Sequence, residues 1–448
     1  MGKPNVIFVF ADQWRAQATG YCGNKNVSTP NIDSLTDESV WFVNAISGIP
    51  VCSPYRASLL TGQRPLTHGV FVNDVYLQPN SSSIAHTFAT AGYDTAYIGK
   101  WHIDGHGRSV YIPEERRQGF DYWKVLECTH DYNHSAYFDG DCEKIKYWDG
   151  YDAIAQTNDA ENYIRSHSKN NKPFFLMLSW GPPHSPYDTA PEKYKKMYNP
   201  EDIVLRQNVP KETEKESRNW LAGYYAHCSA LDDCVGSLLK TIRDCDIEED
   251  TVFVFTSDHG DLLGSHGYQK KQQPWDEAIC VPLLIKFPGM KNWSPSKSDV
   301  LIDAHDIMPT LLGLCDIPIP NSVEGTDFSK HIQGESTTGG EAAIISCPHP
   351  FGQWSKSFGG REYRGIKTKR YTYCRDLNGP WLLFDNKTDP FQLNNLVDKP
   401  EKKNLLKSLD ELLTVKLKEA NDDFLPGNEY IEKWGYEVDE DGTVPYTL

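Results

Sequence analysis

At 448 residues, with 39% hydrophobic and 24% charged residues, the chain has the composition of a globular enzyme and the length for one large lobe with a smaller one attached. Its 45 Lys and Arg stand against 62 Asp and Glu, a net charge of −17, which argues against nucleic acid or an anionic membrane surface as partner. Apolar runs such as Val6 to Ala11 are too short to span a bilayer and no signal-type segment precedes them, so the chain reads as cytoplasmic, or as periplasmic or secreted if a signal peptide was removed.

In chain order, Asn5 to Ala11 predicts a buried strand that delivers Asp12 and Gln13. Cys52-Ser53-Pro54-Tyr55-Arg56 reads as a helix start, with Ser53 as N-cap, Pro54 at the first helical position and Gly62 as the stop. Helix N-termini attract anions, and Arg56, one turn beyond Cys52 on the same face, offers a planar fork for two oxygens of a tetrahedral anion. Thr95 to Ile98 predicts a strand followed by Lys100, Trp101 and His102, and His106 to Gly150 an elaborated loop of the kind that carries specificity. The Phe174 to Trp180 strand leads to His184.

Ser217 to Cys245 predicts an amphipathic helix, because Leu221, Tyr224, Cys228, Leu231, Val235, Leu238 and Ile242 recur at helical spacing; His227 beside them reads as a packing residue. Val252 to Thr256 ends at Asp258-His259-Gly260, and Leu283 to Phe287 gives a further strand. This alternation predicts an α/β domain over 1–345, a large mostly parallel sheet between helices. Over 346–448, Arg364 to Cys374, Trp381 to Phe384 and a charged helix at Glu401 to Leu417 predict a small antiparallel sheet plus helix. The 11 cysteines include no C-x-x-C pair and read mostly as reduced core thiols. Ligands of open parallel sheets bind beyond the carboxyl ends of the strands, where Asp12, Lys100, His102, His184 and Asp258 all fall.

Cys52, Pro54 and Arg56 match the C-x-P-x-R signature of the type I sulfatases of the alkaline phosphatase superfamily, which the chain resembles over nearly its entire length. Gly92-Tyr93-Asp94-Thr95, Gly99-Lys100-Trp101-His102, Pro183-His184-Ser185-Pro186, Asp258-His259-Gly260, Asp306 to Leu312 and Leu383-Phe384-Asp385 carry the rest of the resemblance. It implies an alkaline-phosphatase-like fold and a sulfuric ester hydrolase that releases inorganic sulfate. It also implies that a formylglycine-generating maturation enzyme oxidises Cys52, and that the hydrated aldehyde is the nucleophile.

The implied metal ligands are Asp12, Gln13, Cys52, Asp258 and His259. Mainly oxygen donors favour Ca2+ or Mg2+, Ca2+ first; the chain departs from the many relatives with Asp at the Gln13 position and Asn at the His259 position, and its imidazole also suits Mn2+ or Zn2+. Arg56, Lys100, His102, His184 and Lys271 are implied to neutralise the sulfuryl oxygens, Lys271 being chosen over Lys270 by its spacing to Asp276-Glu277. His184 is preferred to Lys271 for protonating the leaving alkoxide, and His102 for taking the diol proton.

The Trp180 to His184 segment resembles bacterial members that act on carbohydrates, which predicts an exo-acting sulfatase of a sulfated sugar. His134, His349 and Arg361 are the candidate sugar contacts, with ordinary loop packing as the competing explanation. Two rival functions share these residues: a phosphonate monoester hydrolase or phosphodiesterase with the same centre, and a silent sulfated-glycan binding protein whose Cys52 stays a thiol.

Overall fold

The computed structural model describes residues 3–80, 82–170, 172–288, 296–335 and 339–447. Fourteen strands are described: β1 Asn5–Asp12, β2 Val40–Ile46, β3 Asp94–Lys100, β4 Tyr122–Leu126, β5 Ala136–Asp139, β6 Cys142–Tyr147, β7 Phe174–Pro183, β8 Thr251–Ser257, β9 Leu283–Lys286, β10 Ser296–Asp303, β11 Ala342–Cys347, β12 Tyr363–Thr368, β13 Tyr371–Asp376 and β14 Gly379–Asp385. The first ten form one sheet in the order β10-β2-β9-β8-β1-β7-β3-β4-β5-β6, and the last four a second sheet. β8, β1, β7, β3 and β4 run parallel where they pair, whereas β9, β5 and β6 pair antiparallel.

β1 lies between β7 and β8 and is buried on both faces, which is why it reads as an unbroken apolar run. Val6, Phe8 and Phe10 face one core layer, and Ile7, Val9 and Ala11 the other. The second layer is covered by the Glu214–Asp244 helix, which buries Leu221, Tyr224, Cys228, Leu231, Val235, Leu238 and Ile242. That helix starts before the expected Ser217, because Glu214, Lys215 and Glu216 are good helix formers that supply no apolar signal. His227 is buried against Tyr151 Oη and Pro186 O, a packing role as expected.

Two expectations are corrected here. The span from His106 to Gly150 is not a loop throughout: β4, β5 and β6 extend the sheet edge from it. β4 buries Trp123, Val125 and Leu126 while Tyr122 and Lys124 cover the other side, and β6 is exposed along its whole length, so neither gives the pattern of a core strand. Ser53 is not an N-cap either, since the helix runs Cys52–Thr61 from an extended Val51, with Cys52 itself in the first turn and Gly62 at φ 65° closing it. The Ser53 hydroxyl instead donates to His102 O at 2.5 Å.

The division expected between 345 and 346 falls within β11, so the small sheet begins at Ala342. All four of its strands pair antiparallel, and the Lys403–Glu419 helix packs Leu409, Leu413 and Leu417 on Ile366, Tyr373 and Leu383. The chain then returns to the large core, where Tyr430 and Ile431 of the Gly427–Trp434 helix pack beside Phe71. Among the described residues no helix is long and apolar enough to cross a membrane.

Candidate active site

Four strand ends and one helix start converge. Asp12 ends β1, Lys100 ends β3, His184 follows β7, Asp258 and His259 follow β8, and Cys52 opens its helix. Asp12, Cys52, Asp258 and His259 each present a ligand atom, all within 4.8 Å of one another, and all four are buried. His259 Nδ1 donates to Gly260 O at 2.9 Å, which leaves the Nε2 lone pair facing the cluster, 3.0 Å from Lys271 Nζ and 3.5 Å from both Asp12 Oδ1 and Asp258 Oδ1.

Gln13, at φ 73°, donates from Nε2 to Asp261 at 2.7 Å, and its Oε1 is buried without a hydrogen-bond partner. Gln13 N donates to Asp258 Oδ1 at 2.9 Å, so the residue adjoins the cluster, and carboxylates, an imidazole and an amide oxygen are donors a divalent cation accepts. The site's residues therefore fit the implied metal. Cys52 Sγ, which stands in for an oxygen of the oxidised residue, lies 3.3 Å from His259 Nε2 and 2.8 Å from Lys271 Nζ. Burial and Asp12 push this thiol up, but Lys100, Lys271 and His259 outweigh them and hold it well below its ordinary value.

Arg56 departs from its expected role. Its Nε and Nη2 donate to Asp258 Oδ2 at 3.2 and 3.0 Å, Nη2 to Asp12 Oδ2 at 3.3 Å, and Nη1 to Ser179 Oγ at 2.7 Å and Lys100 O at 2.9 Å. These bonds engage the whole fork, its carbon lying 4.9 Å from the Phe10 ring centre. Arg56 thus clamps the two carboxylates from beneath and has no donor left for an anion, because the helix start places it under the cluster. Lys100 Nζ binds the same Asp12 Oδ2 at 2.5 Å. Burial raises the Asp12 pKa, but Lys100, His184, Lys271 and Arg56 together bring it well below the usual carboxylate range.

His184 Nδ1 donates to Ser185 O at 2.9 Å, which makes Nε2 the atom that gains or loses a proton, and the ring stacks on His130 with centres 4.6 Å apart. Burial, then Lys271, depress its basicity well below normal, with Asp12 opposing. His102, at φ 62°, lies with Nε2 3.4 Å from Asp74 Oδ1. Burial alone would lower its pKa, but Cys128, Asp74 and Cys52 raise it to about 10.

The three candidate sugar contacts each have a local partner. Arg361 pairs with Asp376 at 2.9 Å and covers Trp381, His349 Nε2 donates to Gly442 O at 3.1 Å, and His134 stacks on Tyr147. Conversely, Asp261 and Tyr224 were passed over. Asp261 holds the Gln13 amide and accepts from Tyr187 Oη at 2.5 Å, and Tyr224 Oη donates to Gln13 O at 2.7 Å. The spacing of Asp261 from Asp258 marks it in the sequence; Tyr224 is hidden in the apolar stripe of its helix.

Buried carboxylates and an imidazole at the ends of parallel strands, beside a thiol at a helix start and ringed by cations, form a donor set that fits a divalent cation and a charge pattern that fits the hydrolysis of a tetrahedral oxyanion ester. The family model described as Sulfatase matches residues 4–317, and that described as N-sulphoglucosamine sulphohydrolase, C-terminal, matches residues 264–419. The chain belongs to the sulfatase family. An ulvan-active sulfatase of Formosa agariphila is 45% identical over 97% of this chain and 85% of its own length. An endo-4-O-sulfatase of Bacteroides thetaiotaomicron is 32% identical over 94% and 92%. Among solved structures, a Bacteroides thetaiotaomicron protein described with the metabolism of multiple glycosaminoglycans superposes with TM-score 0.85 at 29% identity, covering 99% of this chain and 100% of that one. The phosphonate monoester hydrolase of Agrobacterium radiobacter shares the fold, with TM-score 0.77 at 23% identity over 99% and 100%.

Proposed function

We propose that this sulfatase is a formylglycine-dependent, exo-acting carbohydrate sulfatase, matured at Cys52 and loaded with a divalent cation, Ca2+ first, by Asp12, Gln13, Asp258, His259 and residue 52. The observation that carries this reading is the position of Cys52 Sγ, buried amid two carboxylates, an imidazole and the Lys271 ammonium 2.8 Å away. The hydrogen-bonding neighbours of its side chain are charged or polar, which suits an oxygen nucleophile beside a cation site and proton donors. The relatives named for ulvan and for 4-O-sulfate support a carbohydrate substrate.

When bound, the cation supplies electrophilic assistance to the nucleophile. The hydrated aldehyde offers two hydroxyls on one carbon, one to attack sulfur and one to lose a proton as sulfate leaves. Lys100 and Lys271, 4.0 and 2.8 Å from Cys52 Sγ, flank the reacting centre and offset charge on the sulfuryl oxygens. His184 enters neutral, and an anionic ester beside it favours the imidazolium, so proton uptake accompanies binding and Nε2 then donates to the leaving alkoxide. His102 enters as imidazolium, its Nε2 3.4 Å from Asp74 Oδ1, and accepts a proton only after passing one on.

Turnover of an aryl sulfate, an aryl phosphonate monoester and a panel of sulfated monosaccharides tests the reading, with protein whose Cys52 peptide carries the aldehyde by mass spectrometry. Preference for the phosphonate overturns the sulfate-ester assignment. An intact thiol in active protein from its own host overturns the formylglycine centre.

A further inference from the structure

A cavity of about 260 Å3 opens beside His102, lined by Asp74, Glu127, His106, Tyr446, Thr447 and the glycines between them. Its size lies just below the usual range of small-molecule sites, room for one ring rather than a chain. Asp74, in its wall, faces His102 Nε2 at 3.4 Å, which puts the cavity one side chain from the group around Cys52. The far wall comes from the end of the described chain, and that wall is built in. Arg108 N donates to Thr447 O at 2.8 Å, and Gly107, at φ 120°, leaves so little room that a Cβ there would lie 2.6 Å from Thr447 Oγ1. Arg108 binds Asp74 through Nε and Nη2 at 2.9 and 2.8 Å and lies flat against Tyr446, 3.4 Å from the ring centre. Tyr446 nonetheless keeps 44% of its surface exposed.

An aromatic ring fixed by a cation on one side and open on the other is a stacking platform. Two carboxyl groups belong to the cavity's lining: Asp74, and Glu127, which receives the backbone N–H groups of Ile103, Asp104 and Gly105 at 3.3, 2.8 and 3.0 Å and which burial pushes up to about 7. Arg108 is committed to Asp74, and Arg116 to Asp104 at 3.2 Å. Acceptors around an aromatic wall suit the hydroxyl groups of a sugar and disfavour a ligand carboxylate.

We infer that this cavity seats the sugar ring that carries the sulfate, that the ring is neutral, and that Tyr446 and Thr447 of the C-terminal tail are specificity-determining residues. The inference rests on the carbohydrate-sulfatase reading and adds which sugar class and which residues. Arg108 acts as a positioning residue that aims Asp74 and Tyr446.

The test compares kcat/KM for 4-nitrophenyl sulfate, for monosulfated neutral methyl pyranosides and for a monosulfated uronic acid methyl glycoside. Wild-type enzyme is expected to favour a neutral pyranoside over the uronic acid at least tenfold. Tyr446→Ala is expected to lower the pyranoside-to-aryl-sulfate ratio of kcat/KM at least tenfold, chiefly through KM. Tyr446→Phe, which keeps the platform, is expected to restore the ratio. Glu127→Gln is expected to narrow the discrimination against the uronic acid. An unchanged ratio in Tyr446→Ala, or preference for the uronic acid, overturns the inference while leaving the sulfatase reading intact. Absence of turnover on every sulfated sugar, with the aryl sulfate hydrolysed, overturns the carbohydrate reading and this inference together. Circular dichroism and binding of calcium alone establish that each variant is folded.

Discussion

Arg56→Met separates the carboxylate clamp from the anion fork. Methionine keeps much of the length and apolar stem while deleting the charge and every bond from Arg56 to Asp12, Asp258, Ser179 and Lys100 O. Both carboxylates are fully buried, and Asp258 loses its only cationic side-chain hydrogen-bond donor among the described contacts, while Asp12 keeps Lys100. Removing one partner of a buried charge pair costs about 3–5 kcal/mol, a large share of the roughly 5–15 kcal/mol by which domains are stable. A divalent cation between Asp12 and Asp258 replaces part of the missing charge, so the loss is expected to shrink in calcium; for the parent, calcium at 100 times its Kd adds about 2.7 kcal/mol. Urea unfolding of metal-stripped and calcium-saturated protein, variant against parent, reads both terms. The reasoning is refuted if the metal-free variant loses less than about 1 kcal/mol, or if it is normally stable and only KM for the ester rises, the signature of a fork that grips substrate.

Lys271→Ala is expected to cut kcat/KM by about 100-fold or more, the scale of losing one charged transition-state contact, without lowering calcium stoichiometry measured by atomic emission. Because His184 is depressed in the free enzyme and anionic substrate favours its protonated form, the alkaline limb of kcat is expected at higher pH than that of kcat/KM. Coincident limbs, or their survival in His184→Gln, remove His184 as the acid. Gly99→Ala is expected to disable the enzyme from within the sheet: at φ 106° its Cβ would lie 2.0 Å from Ser179 O, displacing Lys100 and the Ser179 contact to Arg56 together. Retained activity and an unshifted melting curve count against that packing.

The sheet was legible because its central strands are buried on both faces and announce themselves as apolar runs, and the carboxyl ends of those runs marked Asp12, Lys100, His184, Asp258 and His259 directly. Arg56 shows the limit. Its spacing from Cys52 fixed the helix face correctly, yet spacing says nothing of what stands opposite, and the carboxylates beneath it come from two distant strands. β4 to β6 stayed hidden because mixed aromatic and charged residues blur alternation at a sheet edge. His134, His349 and Arg361 were chosen by residue type within loops, where a stacking or ion-pairing neighbour is as available as a ligand. Tyr446 could not be reached that way, since its partner Arg108 lies more than 300 positions earlier.

Cys52 retains 1% of its surface in the folded protein, and the groups that seal it, His259 and Lys271, follow it by 207 and 219 residues. At ribosomal speeds of about 5–20 residues per second, roughly 10–40 s pass between synthesis of the cysteine and synthesis of its cover. Any enzyme that oxidises this thiol must therefore win a race against folding, working on a segment still extended. The late arrival of Lys271 is what keeps that interval open.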